Sequence, residues 1–341
     1  MQLTEAPIDV AIVGAGITGL LLAQQCQQCG LSVVLLDKGK SVGGRLATRR
    51  GKVNSDTPEA MPIRWDHGAQ YFSAHSRAFQ KLVENWHTQG WIEEWKALST
   101  PNHPRWVAKD GMSAFCKQLA RGLSVHCNQR VISIHKKEAT WQIRTESNHR
   151  IEATQVVLTA PIPQITELLA QSDLSLMPPQ QSLLTPVQYS PCLALMGIVH
   201  QADNIANGFL KFQDHPVLSW VANNTLKGIS NPACAAITAH ASPQWSHHHW
   251  NTPDDDIITL LINALTPWIA REAWQRTQLK RWKYALVTQA ACQPFAALTQ
   301  HTGLWAAGDG FVGGSVEGSV LSALALSQQL KQTLAQKVVP R

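Results

Sequence analysis

Hydrophobic and polar positions fall into short, sharply bounded blocks at both ends of the chain. Asp9–Val13 is a brief β-branched run of the kind a buried parallel strand requires. Gly14-Ala15-Gly16-Ile17-Thr18-Gly19 follows at once. Then comes Leu20–Cys29, apolar on more than one face and therefore expected as a buried helix. Gly30 ends that run, and Leu31–Leu36 reads as a second strand finishing at Asp37. Together the pieces make a βαβ unit of about thirty residues.

Further along, the polar, proline-containing stretch Gly51–Pro62 reads as an exposed loop, and Ser76–Trp95 as a helix. Val125–Ile134 and Thr140–Arg144 read as strands around a turn. Gln155–Thr159 is a short buried strand stopped by Ala160-Pro161-Ile162-Pro163. From there to about Pro267 the character changes: proline, tryptophan and histidine become frequent, and strand-like pieces such as Cys192–His200 and Ala235–Ala239 alternate with loops. Asp254–Trp268 and Ile269–Thr277 read as helices, with Asp254-Asp255-Asp256 as the acidic start of the first. Leu304–Ala307 is a last buried strand, followed by a glycine-rich turn and a helix over Val316–Leu330.

Composition changes this picture little. Hydrophobic residues make up 44% of the 341 and charged residues 15%, so a large core is expected and global disorder is excluded. The net charge of +6 favours anionic partners, but no Lys/Arg run with interleaved aromatics suggests a nucleic-acid groove. The N-terminus carries acids and no basic stretch, and Leu183–Val199 is broken by Pro186 and Pro191. Neither a signal peptide nor a membrane span is therefore expected, and a cytoplasmic protein follows. Seven scattered cysteines fit reduced thiols. Cys26 and Cys29 form a CxxC, but inside the predicted helix rather than at its start, where a redox pair would gain acidity. His247-His248-His249 cannot converge on one ion without a bend, and no metal site is expected.

The chemistry lies in the glycine turns. In Gly14-x-Gly16-x-x-Gly19 the first glycine permits the tight turn and the second lets the backbone approach a pyrophosphate. The third lets helix and strand pack closely. Asp37, at the end of the second strand, is placed to accept hydrogen bonds from ribose hydroxyls. This predicts a bound adenine dinucleotide. Gly43-Gly44-Arg45 adds a second turn and a cation for the pyrophosphate. Near the C-terminus a strand delivers Gly308-Asp309, with Asp309 an acceptor for a ribityl hydroxyl, and a glycine-rich loop then starts a helix. The amides of Ser319 and Val320 there would favour the negative charge a flavin gains on reduction. These features select FAD over NAD.

The combination of VAIVGAGITG (from Val10), GGRLATRR (Gly43–Arg50), WDHGAQYF (Trp65–Phe72), RWKYA (Arg281–Ala285) and GDGFVGGSVEGSV (Gly308–Val320) resembles the renalase-like branch of the flavin amine-oxidase superfamily over nearly the whole chain. The resemblance implies an α/β fold: a discontinuous Rossmann-type FAD-binding domain with a second, β-sheet-based substrate domain. The expected boundaries are 1–75, 105–160 and 270–341 for the first and 76–104 and 161–269 for the second. The implied activity is an FAD-dependent oxidase of dihydro-NAD(P) isomers reduced at the wrong ring position. Hydride passes to flavin N5, and O2 reoxidises the flavin to give H2O2.

The implied cofactor set is Gly14, Ala15, Gly16, Ile17, Thr18, Gly19, Asp37, Lys38, Gly44, Arg45, His67, Gly68, Val131, Asp309, Glu317, Ser319 and Val320, with His67 and Gly68 near the isoalloxazine and Val131 meeting the adenine side through its backbone. Ala69, Gln70, Tyr71, Phe72 and Ser73 border the substrate pocket, joined by Trp106, His240 and Ser315. Aromatic walls of this kind suit a flat nicotinamide ring. Hydride abstraction needs little acid–base help, and no catalytic base is assigned. Arg281, Trp282 and Tyr284 are left outside the site. Two alternatives stay open: an FAD amine oxidase acting on a small amine, for which a lysine near N5 is not identified, and a non-catalytic FAD-binding protein.

Overall fold

The computed structural model describes residues 7–53, 61–200, 203–232, 234–299 and 301–335. The chain divides into two compact units, Met1–Gly44, Cys116–Gln188 and Val287–Arg341 in one, Arg45–Phe115 and Tyr189–Leu286 in the other. These bounds differ from the expected domains. Residues 45–75, 105–115 and 270–286 fall in the second unit, and 161–188 in the first. Local packing accounts for the differences. Ile63 and Trp65 pack against Met196, Ile198 and Ala236 of the second unit's sheet. In the first unit the Ile134 amide donates to Ser172 Oγ just past the helix Ile162–Gln171.

The first unit is built on a parallel core. Ile8–Val13 lies between Val33–Leu36 and the long strand Arg150–Leu158, parallel to both, with Val10 opposite Val33 and Gln155. Leu304–Ala306 and Ser124–His126 extend the sheet in parallel on either side. Trp141–Thr145 and Val131–Lys136 form an antiparallel extension from the lower half of Arg150–Leu158. The expected strand Val125–Ile134 is thus two strands, broken where Asn128 takes φ +56°. The central strands Ile8–Val13 and Val33–Leu36 and the end of Arg150–Leu158 are almost wholly buried, which is why their sequences read as apolar runs.

The helix Ile17–Gln28 starts directly after Gly16, three residues earlier than the apolar pattern suggested, and buries Leu20, Leu21 and Leu22 together. Burying each leucine contributes about 1.5–3 kcal/mol. Thr18 Oγ1 donates to the Ser319 carbonyl at 3.2 Å, tying it to the C-terminal helix Val316–Ala335. Both helices begin in the same way. A Cβ on Gly19 would lie 2.1 Å from the Gly14 oxygen, and one on Gly318 would lie 2.1 Å from the Gly313 oxygen. The CxxC holds no disulfide: Cys26 is buried, Cys29 is exposed, and burial pushes the Cys26 thiol up to about 12.

The second unit centres on a five-stranded sheet in the order Phe209–Lys211, Leu218–Asn223, Ala235–Ala241, Gln188–Val199, Trp274–Gln289. Period-two alternation divides Gln188–Val199 between two cores. Leu193, Leu195 and Val199 pack with Ile257, Leu261 and Leu265 of the helix Asp254–Leu265. Met196 and Ile198 face the ribbon Thr48–Val53/Met61–Asp66. Gly197 has no side chain because the Trp274 ring would lie 2.4 Å from its Cβ. Cys192 is buried here, its thiol also pushed up to about 12.

Three expectations are corrected. Of the loop Gly51–Pro62, residues 51–53 and 61–62 form paired strands, because they continue the antiparallel ladder begun at Thr48 and Asp66; residues 54–60 lie outside the described residues. The helix over Ser76–Trp95 runs only Arg77–Thr88, capped by Ser76. Gly90 at φ +70° then turns the chain into the strand Ile92–Glu94, which pairs with Trp106–Ala108. The second helix expected over Ile269–Thr277 is a single 3₁₀ turn, Arg271–Ala273, followed by the sixteen-residue strand Trp274–Gln289, where tertiary pairing overrides weak helical periodicity.

Replacing Gly19 by alanine should destabilise the protein by about 1–3 kcal/mol in chemical denaturation, since the new methyl meets backbone and not a movable side chain. Gly16→Ala, with nothing within 4 Å of its Cβ, should leave apoprotein stability within experimental error of wild type.

Candidate functional site

In the first unit the Gly14–Gly19 turn is open where the motif requires it. Nothing lies within 4 Å of a Cβ built on Gly16, whereas Gly14 at φ +115° abuts Thr159. Gly43 donates to the Ala15 carbonyl at 2.8 Å and pairs with Gly16, and Gly43 and Gly44 both take positive φ. Two glycine turns are therefore stacked beside the N-terminus of the helix that starts at Ile17. The Asp37 carboxylate is braced by the amides of Ala15 and Gly39, each at 2.6 Å. Its own backbone carbonyl accepts from Gln129, which brings Val131 into the same corner. Lys38 Nζ donates to Gln164 at 2.9 Å, and partial burial with Arg130 nearby lowers its ammonium from the ordinary range.

At the C-terminal end of the same sheet Gly308 takes φ +145°, and Asp309 is buried in the one-turn helix that follows. Ser315 Oγ accepts from the Gly318 amide at 2.9 Å, so the serine assigned to a substrate pocket is the cap of the Val316–Ala335 helix. The Ser319 amide donates to the Ser315 carbonyl at 3.1 Å. That amide is therefore engaged within the helix and is not a free donor. Val320 is fully buried, and Glu317 sits in the first turn.

The other assigned residues lie in the second unit, around the segment Asp66–Ser73. Gly68 is obligatory: a Cβ there would lie 1.9 Å from the Arg45 oxygen, to which Ala69 donates at 3.0 Å. Arg45 Nη1 reaches the carbonyls of Tyr284 and Ala285 at 3.4 Å. The His67 ring stacks on Trp282 at 5.4 Å, and the His67 carbonyl accepts from Trp282 Nε1 at 2.9 Å and faces His240 Nε2 at 3.3 Å. Gln70 Nε2 donates to the carbonyls of Asp66 and Gly68. His67 Nδ1 and Gln70 Oε1 are both buried with no protein partner. Buried orphan atoms of this kind need a ligand or water to satisfy them.

Burial, with Arg49, Lys280 and His240 adding to it, pushes His67 down to about 3. Burial also lowers His240 to about 4, so both imidazoles are neutral at pH 7. Tyr71 lies 5.5 Å from the Trp220 ring, and half-buried Trp106 lies 5.1 Å from His87. Phe72 is a core side chain, packed on Phe79 and Phe115, and only its backbone meets Trp106.

Two residues outside the assigned set organise this segment. Asp66 and Lys227 form an ion pair at 2.7 Å with both side chains fully buried. The other carboxylate oxygen accepts from Thr48 Oγ1 at 2.6 Å and from the Met112 amide at 2.9 Å. Asp66 N donates to Asn224, and Lys227 Nζ lies 5.4 Å from the Trp95 ring centroid. Burial lowers the Lys227 ammonium, and Asp66 opposes that shift. A signal for Lys227 was available: it is the single Lys, Arg, Asp or Glu between His215 and Asp254. Arg281, by contrast, binds the Trp250 and Thr252 carbonyls and Asp254, a structural clamp.

Comparison with known proteins defines the class. The family model for flavin containing amine oxidoreductases matches residues 87–331, and that for a NAD(P)-binding Rossmann-like domain matches residues 12–86. The chain belongs to the flavin containing amine oxidoreductase family, and its cofactor is FAD. Within the family it is renalase-like. It is 26% identical to renalase of Mus musculus over 349 residues, covering 95% of this chain and 98% of that one. Among solved structures, cyclohexylamine oxidase from Brevibacterium oxydans aligns at TM-score 0.70 and 11% identity, covering 97% of this chain and 100% of its own. Putrescine oxidase bound to putrescine aligns at 0.61 and 14%, covering 97% and 99%. These two likenesses bear on the fold alone. No helix among the described residues is long and apolar enough to cross a membrane.

Two outcomes follow from the site's electrostatics. Lys227→Met should cost about 3–5 kcal/mol in denaturant titration, because it strands a buried carboxylate, and Asp66→Asn added to it should recover part of the loss. The two imidazoles are neutral when folded and titrate near 6.5 when unfolded. The unfolded chain therefore binds more protons below that value, so their contribution is complete above about pH 6.5 and is lost as the pH falls towards about 4 for His240 and about 3 for His67. A His240→Asn variant should show a flatter dependence of Tm on pH across that window; a slope equal to wild type would mean the imidazole is not held neutral.

Proposed function

We propose that this FAD enzyme oxidises dihydronicotinamide dinucleotides reduced at ring position 2 or 6. They return to NAD(P)+, and one O2 and one proton are converted to one H2O2. The observation that carries this reading is the pair of buried, unpartnered neutral atoms His67 Nδ1 and Gln70 Oε1 on one loop. A nicotinamide carboxamide offers one acceptor and two donor hydrogens, which complements such a pair. The near full-length similarity to renalase supports the same reading.

Removing hydride from a neutral dihydro ring leaves a cationic one. Charge near the ring therefore matters more than a proton acceptor. Asp66 offsets the charge of Lys227, and His67 and His240 are uncharged, so neither imidazole adds to the positive charge that Arg49 and Lys280 already bring towards His67. Half-buried Tyr71 and Trp106 supply aromatic surface for the cationic ring.

The first unit would hold the cofactor, and the second would carry the substrate. In the first, the Gly14–Gly19 and Gly43–Gly44 turns would take the pyrophosphate and Asp37 the ribose. Val131 would lie beside the adenine, Asp309 at the ribityl chain, and the start of the Val316–Ala335 helix at the electron-rich edge of the ring. Bound FAD supplies the two-electron acceptor for the hydride and the route to O2. All seven cysteines are free, which fits action in a reducing, cytoplasmic setting where pyridine nucleotides occur.

Anaerobic mixing tests the reading. The yellow protein should be bleached rapidly by 2- and 6-dihydro isomers of NADH, and slowly or not at all by ordinary 4-dihydro-NADH or benzylamine. Readmitted oxygen should then yield one H2O2 per oxidised dinucleotide. Bleaching by the amine alone would replace this function with amine oxidation.

A further inference from the structure

Resting on that reading, we propose that Arg105 is an anion-recognition residue of the substrate site, binding a phosphate of the dinucleotide and selecting it over small amines. Arg105 is half-buried, on the segment that runs antiparallel to the Tyr71–Ser73 border. Phe72 N and O exchange hydrogen bonds with Trp106 at 3.0 and 2.8 Å, which fixes the two segments side by side. From there the guanidinium donates to Ser73 Oγ at 2.5 Å and lies 5.6 Å from the Tyr71 ring centroid. None of the ion pairs among the described residues involves Arg105.

The bracing is what distinguishes this arginine from an ordinary surface cation. One edge is held by a hydroxyl and one face lies towards an aromatic ring, so its remaining N–H donors are pre-oriented. A planar, permanently charged fork of this kind matches two phosphate oxygens. The side chains it meets, the Ser73 hydroxyl and the Tyr71 ring, bring no carboxylate to it. A pyrophosphate-bearing substrate is attracted to such a position. A protonated amine is repelled, so the same residue supplies both halves of a specificity difference.

The test uses the holoenzyme and a phosphate series: the 6-dihydro isomers of nicotinamide riboside, of the mononucleotide and of NADH, which carry none, one and two phosphates. Flavin reduction is followed anaerobically for wild type, Arg105→Met and Arg105→Lys, with the flavin absorbance and Tm of each variant recorded to verify folding. In wild type the apparent Kd should be tighter for the phosphorylated substrates than for the riboside. Arg105→Met should narrow that ratio about tenfold, the scale of one charge-assisted hydrogen bond. Arg105→Lys should fall between, and inorganic pyrophosphate should inhibit wild type more than Arg105→Met. A variant that weakens all three substrates equally, or none, overturns the assignment while leaving the oxidase reading intact. Wild type reduced by none of the three overturns the reading and the subsite together.

Discussion

A lysine and an aspartate with no water around them set the geometry of the second unit's polar centre. Taking two such charges out of water costs several kcal/mol each, and only close contact with further hydrogen bonds offsets it. Asp66 meets that demand completely: Lys227 on one oxygen, the Thr48 hydroxyl and Met112 amide on the other, and Asn224 on its backbone. Each partner comes from a different stretch of chain. The pair therefore fixes where the ribbon ends and where the segment carrying His67, Gly68 and Gln70 begins. The backbone beneath the orphaned His67 Nδ1 and Gln70 Oε1 is thereby tied down.

The first unit solves a different problem with the opposite means. A dinucleotide needs backbone, not side chains, brought close to its phosphates, and glycine is the residue that allows it. Gly19 and Gly318 each let the start of a helix press on the carbonyl of a glycine five residues earlier. The two helices then meet through Thr18 and Ser319. One unit thus shapes its turns by leaving atoms out, and the other holds its polar segment by adding charges in the interior.

Legibility followed from these two strategies. The glycine turns, Asp37 and the parallel strands were readable because their constraints are local. A turn needs glycine at fixed offsets, and a strand buried on both faces is an unbroken apolar run. The Asp66–Lys227 pair was not: Asp66 sits in a visible motif, but its partner is 161 residues away and nothing local in the sequence joins the two. Trp282 belongs to the visible RWKYA block, but strand alternation alone does not show which of its side chains faces the His67 segment; its ring lies on His67 and its indole holds the His67 carbonyl. Phe72 was misjudged because WDHGAQYF reads as one functional block, whereas alternate side chains on an extended segment face opposite ways. The strand Trp274–Gln289 was mistaken at its start because its conformation comes from sheet neighbours rather than from its own residues.

The buried thiols have a meaning beyond packing. An oxidase of the proposed kind makes peroxide beside its own cysteines, and peroxide attacks thiolates far faster than thiols. Burial holds Cys26 and Cys192 near 12, so at neutral pH each is almost wholly protonated as well as shielded. The sulfurs open to solvent are the exposed Cys29 and Cys292 and, in part, Cys127 and Cys234, whereas Cys26, Cys116 and Cys192 are buried. Self-inflicted damage would thus fall first on the surface and last on the core.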